Sequence, residues 1–150
     1  MASKRAEQQV VVEAGPHACF AALTDYERIA SWQSTVQSCE VVSRDREGRG
    51  REVDWKIDAK VRSVSYRLEY SYEEPHWIGC RYVDGDVKDL DAEYIFEDRG
   101  DGTTLATFSL RLDPGSWLPG KVVDMLNDQV MKRSLEDLKR HVEAEESARR

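Results

Sequence analysis

The chain has 150 residues, of which 40% are hydrophobic and 34% charged, with a formal net charge of −7. This length points to one domain, 1–150, large enough to bury a real core, and no stretch approaches the roughly 18 apolar residues of a membrane span. The acidic balance argues against nucleic acid as a partner, because phosphate binding is driven by Lys and Arg releasing counterions.

The N-terminus, Met1 to Gln9, is polar and has no apolar run behind Lys4 and Arg5. It does not read as a signal peptide, so a cytoplasmic location is the expectation. Gln8 to Val12 forms a short valine-rich strand. Gly15 and Pro16 punctuate it, and Pro16 suits the first turn of a helix. His17 to Leu23 then places Ala18, Phe20, Ala21 and Leu23 on a compact helix. Asp25 caps a second short helix, Tyr26 to Ser31, ending near Trp32.

From Val36 the period changes to two. Val36 to Arg44 is followed by Gly48 and Gly50, a hairpin signal. The basic residues there (Arg44, Arg46, Arg49, Arg51) are interrupted by Asp45, Glu47 and Glu52 and read as a solvated hairpin. Val53, Trp55, Ile57 and Ala59 alternate with polar residues, as do Val64, Tyr66, Leu68, Tyr70 and Tyr72. The turn between them, near Lys60 to Ser63, lacks Gly and Pro. Pro75 breaks the run. Ile78, Cys80 and Tyr82 make the next apolar face, ended by Asp84-Gly85. Leu90, Ala92, Tyr94 and Phe96 follow, then a turn at Arg99 to Gly102, then Ala106, Phe108, Leu110 and Leu112. Strands joined by such short turns pair antiparallel.

The chain closes with a long amphipathic helix, Pro119 to Glu146. Val122, Leu126, Val130, Leu135, Leu138 and Val142 recur near helical spacing. At a rise of about 1.5 Å per residue it spans ~40 Å, more than a lid over one small sheet requires. The charged end from Glu143 reads as a fraying tail, leaving a core of about 7–142. Cys19, Cys39 and Cys80 are widely spaced and read as reduced thiols behaving as small hydrophobes.

The inward faces of the strands are rich in aromatics. The simpler reading is a core packed on the last helix. The sharper one notes that many are tyrosines, whose buried hydroxyls need partners; an apolar cavity with a few placed polar groups is how a small-molecule pocket is built.

This order resembles the helix-grip fold of the START-like (SRPBCC) superfamily: an α+β fold with a curved antiparallel sheet of six or seven strands around a C-terminal helix. Phe20-Ala21-Ala22-Leu23-Thr24-Asp25-Tyr26-Glu27-Arg28 followed by Trp32 looks like the family's two-helix notch. Leu90-Asp91-Ala92-Glu93-Tyr94-Ile95-Phe96 resembles its late strand, Gly102-Thr103-Thr104-Leu105 the next turn, and Leu118-Pro119 the approach to the last helix. The nearest branch is that of polyketide cyclases/dehydrases and coenzyme-Q-binding chaperones. Ile29-Ala30-Ser31 stands where a Tyr-Pro pair is usual, Ala92 replaces a Gly, and Tyr94 a Trp.

The resemblance implies a cavity between sheet and helix, with its mouth near the short helices and Trp32 as a gate. Trp55, Tyr66, Leu68, Tyr70, Tyr82, Tyr94 and Phe108 would face it from the sheet, and Val122, Met125, Leu126 and Gln129 from the helix. A register slip of one residue would turn the strand residues outward. No catalytic residue emerges: His17, His76 and His141 lack nameable partners, and Arg81 and Asp58 fall on solvent faces. GxSxG, HExxH, P-loop and dinucleotide motifs are absent, as is zinc spacing, so neither metal nor other cofactor is expected.

The leading functional reading is binding or transport of a hydrophobic small molecule (lipid, polyketide or isoprenoid-like), by a monomer or homodimer with no integral membrane association. The alternatives are a polyketide cyclase/dehydratase, which needs a placed acid or base, and a ribosome-associated toxin-like interaction module, which needs a basic patch.

Overall fold

A computed structural model describes residues 5–58, 62–116 and 120–149, the side chains of 120–123 and 125–127 excepted. Strand β1 (Arg5–Val12) leads into helices α1 (Pro16–Thr24) and α2 (Tyr26–Ile29). Six strands come next: β2 (Val36–Arg44), β3 (Gly50–Asp58), β4 (Ser63–Glu73), β5 (Trp77–Gly85), β6 (Asp89–Asp98) and β7 (Thr104–Asp113). Helix α3 (Gly120–Arg149) ends the chain. The strands form one antiparallel sheet in the order β1-β7-β6-β5-β4-β3-β2. Only β1 departs from sequential neighbours, so α1 and α2 carry the chain from one sheet edge to the other. This is the helix-grip α+β fold.

Local chemistry accounts for the element ends. Pro16 starts α1 directly after Gly15, where its missing N–H costs nothing. The β2–β3 hairpin turns on Asp45, whose carboxylate accepts from the Glu47 and Arg49 amides at 2.9 and 3.0 Å. Gly48 supplies the left-handed residue of that turn (φ +84°). At Gly79 the need is space: an added Cβ would lie 2.2 Å from the Trp77 ring, which lies across the strand.

Several boundaries differ from the sequence reading: β1 begins at Arg5 rather than Gln8, and α2 ends at Ile29 rather than Ser31. Helix α3 extends to Arg149, so the charged end does not fray from Glu143. Pairs at helical spacing support it: Lys139–Glu143 at 2.6 Å, His141–Glu145 at 3.3 Å and Arg149–Glu146 at 3.3 Å. The turn expected near Lys60 lies outside the described residues, and β4 starts at Ser63.

The core divides in two. One cluster joins Val12, Phe20, Leu23, Ile29 and Phe96 to Leu135, Leu138 and Val142 of α3. The other, around Val64, Leu68, Val87 and Leu90, includes no described α3 residue. Among the described residues, helix α3 packs chiefly on β1, with further contacts to α1 and β7. The convex face carries cross-strand ion pairs: Arg67 on Asp54 at 2.7 Å, Arg81 on Glu69 at 2.6 Å, and Arg111 on Asp89 and Asp91 at 2.5 and 2.6 Å.

The α2–β2 connection is tied to α3 by polar contacts. Buried Asp137 accepts from the Ser34 amide (2.8 Å) and hydroxyl (2.7 Å), with Arg140 beside it at 3.1 Å. Asp137→Ala removes the charged acceptor and strands the Ser34 amide. A stability loss of about 2 kcal/mol is expected in urea denaturation, whereas Arg140→Ala, at an exposed guanidinium, should change it by less than about 0.5 kcal/mol.

Candidate functional site

Between the concave sheet face and α3 lies a cavity of about 170 Å³. Because side chains alternate along a strand, one face of each strand supplies its wall: Trp55 and Ile57 of β3, Val64, Tyr66, Leu68 and Tyr70 of β4, Ile78 and Cys80 of β5. Leu90, Ala92 and Tyr94 of β6 and Phe108, Leu110 and Leu112 of β7 continue it. Leu23, Tyr26 and Ile29 close the end at α1 and α2, and Gln33, Thr35, Val130 and Ser134 complete the helix side. Leu23, Tyr26, Ile29 and Gln33 are all buried.

The aromatic groups brace one another. Tyr94 stacks on Phe108 with centroids 4.3 Å apart, and Tyr26 meets Trp55 edge-on at 5.9 Å and Tyr70 at 5.2 Å. The Tyr72 hydroxyl gives its proton to the Gly50 carbonyl. It therefore accepts from the Tyr26 hydroxyl, 2.8 Å away. Tyr94 meets the Ser134 hydroxyl at 3.3 Å. The Tyr70 hydroxyl lies at the Cys80 thiol. The Tyr66 hydroxyl has no hydrogen-bond partner among the described residues, and the Trp55 Nε1–H is buried without one.

Burial sets the protonation of this wall. It raises the phenols of Tyr26, Tyr66, Tyr70 and Tyr94 above their usual range. It pushes Tyr72 up to about 12, and Cys80 likewise to about 12 despite the neighbouring Tyr70 hydroxyl. At neutral pH these groups are protonated and able to donate hydrogen bonds. They do not act as bases there. The carboxylate of Glu93, which also borders the cavity, accepts from Trp77 Nε1 at 3.0 Å.

Of the residues singled out in the sequence, Trp55, Tyr66, Leu68, Tyr70, Tyr94 and Phe108 line the cavity. Three others do not. Tyr82 faces the same side but packs into the Val64–Leu68 cluster; a register shift between Arg67 and Leu68 moves its strand relative to β4. Trp32 stacks on His141, centroids 4.5 Å apart, in a separate polar cleft with His17, Asp25 and Arg28. Tyr26, Ile29 and Gln33 border the cavity, and Trp32 does not. Gln129 is exposed; Val130 and Ser134, four residues apart, hold the inward stripe. The side chains of Val122, Met125 and Leu126 lie outside the described residues.

The sequence reading missed Tyr26, Gln33, Thr35, Cys80 and Ser134 as cavity residues. Cys80 and Ser134 carried a signal, since they share the phase of Ile78 and the helical spacing of Val130 and Leu138. Gln33 and Thr35 carried none, because a loop has no period. Among the described residues no group of three or more His, Cys, Asp and Glu is arranged to hold a metal, and no helix is long and apolar enough to cross a membrane.

A sequence profile of the family described as polyketide cyclase / dehydrase and lipid transport matches residues 3–143. The chain belongs to this family. Its fold is similar to that of a START superfamily protein from Mycobacterium smegmatis, with a TM-score of 0.86 at 18% identity over 93% of this chain and 97% of that one. It is similar to the Zhui aromatase/cyclase from Streptomyces sp. R1128, with a TM-score of 0.83 at 12% identity over 93% of each chain. The di-domain ARO/CYC StfQ of the steffimycin biosynthetic pathway aligns at a TM-score of 0.73 and 15% identity, over 96% of this chain and 46% of that one. At these identities the likeness is one of fold. No curated protein matches the sequence significantly. For the polyketide cyclase/dehydrase family, the profile supports hydrophobic-ligand binding or polyketide cyclisation as the general role.

In this family member the buried phenols and thiols make a measurable signature. A folded phenol raised above its unfolded value of about 10 favours the folded state at lower pH, and that contribution is lost as pH rises through the folded value. Phenolate absorbance near 295 nm should therefore stay low at pH 10 and rise together with unfolding toward pH 12, the region of Tyr72. Burial pushes Cys19 up to about 11 and Cys39 to about 12. At pH 8 a disulfide reagent such as DTNB should react with the native thiols at least about a hundredfold more slowly than with the urea-unfolded chain.

Proposed function

We propose that the protein binds a hydrophobic small molecule, of lipid, polyketide or isoprenoid-like character, inside the aromatic-walled cavity. The observation that carries this reading is the wall itself: the inward faces of five strands, with Val130 and Ser134 of α3, converge on open space. Close packing is the rule in protein interiors, so open volume walled by Trp55, Tyr66, Tyr70, Tyr94 and Phe108 is a specific construction. An apolar cavity of about 150 Å³ takes up benzene, so about 170 Å³ fits a body of one or two rings. Longer ligands need the walls to part. Binding rests on apolar burial, at roughly 25 cal/mol per Å².

The cyclase/dehydratase reading draws on the family membership and on the cavity's phenol donors, which suit an enolising carbonyl. Binding ranks first because the described lining includes no His, Lys or Arg to move a proton at neutral pH.

The test uses the neutral two-ring fluorophore 6-propionyl-2-dimethylaminonaphthalene. Emission should rise and saturate on addition of the protein, with energy transfer from tryptophan. Ala92→Phe, which fills the wall between Tyr94 and Leu90, should weaken binding about tenfold or more while the variant remains cooperatively folded. Native mass spectrometry after incubation with a lipid extract should find a retained neutral mass. Absence of both fluorophore and lipid uptake would overturn the proposal. Turnover of a poly-β-ketone thioester would favour the enzymatic alternative.

A further inference from the structure

We infer that the cavity reads a hydroxyl group on its ligand, and that Gln33 and Thr35 do the reading; the preferred ligand is a neutral hydrophobic alcohol or phenol. This rests on the ligand-chamber reading above and deepens it.

Gln33 is 3% exposed and Thr35 7%, and both border the cavity from the α2–β2 connection. Gln33 spends its amide nitrogen on the Ser134 carbonyl at 3.1 Å. A carbonyl can only accept, so the nitrogen must face Ser134 and Oε1 is the free end. That oxygen has no hydrogen-bond partner among the described residues. Nor is it among the polar atoms sealed off without one, which are Ser43 Oγ and Trp55 Nε1. Gln33 itself borders the cavity, and we assign this oxygen's remaining surface to it. The Thr35 hydroxyl is in the same condition. Its backbone carbonyl is used by the Asp58 amide at 2.9 Å, but its side chain has no partner among the described residues.

A free buried carbonyl oxygen bears the full desolvation penalty until something donates to it. The two free groups stand two positions apart in the chain and differ in kind. Gln33 Oε1 only accepts, and Thr35 Oγ1 both donates and accepts. A ligand hydroxyl satisfies both at once, giving its proton to Gln33 and taking one from Thr35. Of this pair, an ether oxygen can use only Thr35. A carboxylate, which has no proton to give at neutral pH, would meet the Gln33 oxygen with like polarity in a wall whose described members include no cationic side chain.

The test is a matched series sized to the cavity: 2-naphthol, 2-methoxynaphthalene and 2-naphthoate, titrated into the protein at pH 7.5 by calorimetry. The expected order is 2-naphthol first, about tenfold tighter than 2-methoxynaphthalene, the size of one net hydrogen bond, with 2-naphthoate weaker than both. In Gln33→Met the naphthol-to-methoxynaphthalene ratio should fall to about one or two. The ratio is the readout because the substitution also alters the apolar wall. Should that variant not fold, the Gln33 side-chain amide signals of the wild-type protein serve by NMR: they should shift with 2-naphthol and not with 2-methoxynaphthalene. Equal binding of naphthol and its methyl ether, or tighter binding of naphthoate, overturns the hydroxyl reading and leaves the chamber reading standing. No binding by any of the three overturns the chamber reading itself.

Discussion

Everything distinctive in this fold depends on where α3 is fastened. Leu135, Leu138 and Val142 bury it against Val12, Phe20 and Phe96, and polar ties from Asp137 to Ser34, from Ser134 to Gln33 and from Lys139 to the Val11 carbonyl at 2.9 Å hold that end in place. All of these lie toward β1, α1 and the α2–β2 connection. The sheet twists, as antiparallel sheets do, and the described contacts of α3 are concentrated on β1, α1 and β7. The apolar faces of β3, β4 and β5 therefore meet one another and a cavity, and the core resolves into two clusters instead of one.

Rings suit that wall because they hold their shape when nothing presses on them from one side. Tyr94 leans on Phe108, and Tyr26 is wedged between Trp55 and Tyr70; each also fixes its orientation by a second contact, stacking or hydroxyl. The convex face has a different solution. Its rows of Arg, Asp and Glu pair across strands, each pair contributing little on its own at an exposed site, but together they keep that face wetted and so settle which side of the sheet turns inward.

The period-two alternation from Val53 to Leu112 made the strand phases legible, and six of the seven sheet residues expected at the cavity lie on it. Tyr82 is the exception, since the register shift opposite Leu68 cannot be read from alternation alone. Trp32 was misplaced because α2 is a single turn, too short for periodicity to orient the residues after it. Gln129 was misplaced by one position, which on a helix is about 100°. The two polar residues that give the cavity its chemistry, Gln33 and Thr35, lie in a loop, where sequence offers no face at all.

Sequence by itself determined the order of elements, their antiparallel pairing, the aromatic character of one sheet face and the amphipathic nature of the closing helix. These are properties of neighbouring residues and short repeats. Tertiary structure alone decided that the described part of α3 packs on β1, α1 and β7, that its charged end is helical, and that a glutamine and a threonine of a loop border the cavity. Those outcomes depend on the twist of the whole sheet and on contacts between Gln33 and Ser134, 101 positions apart in the chain, and no local pattern encodes them.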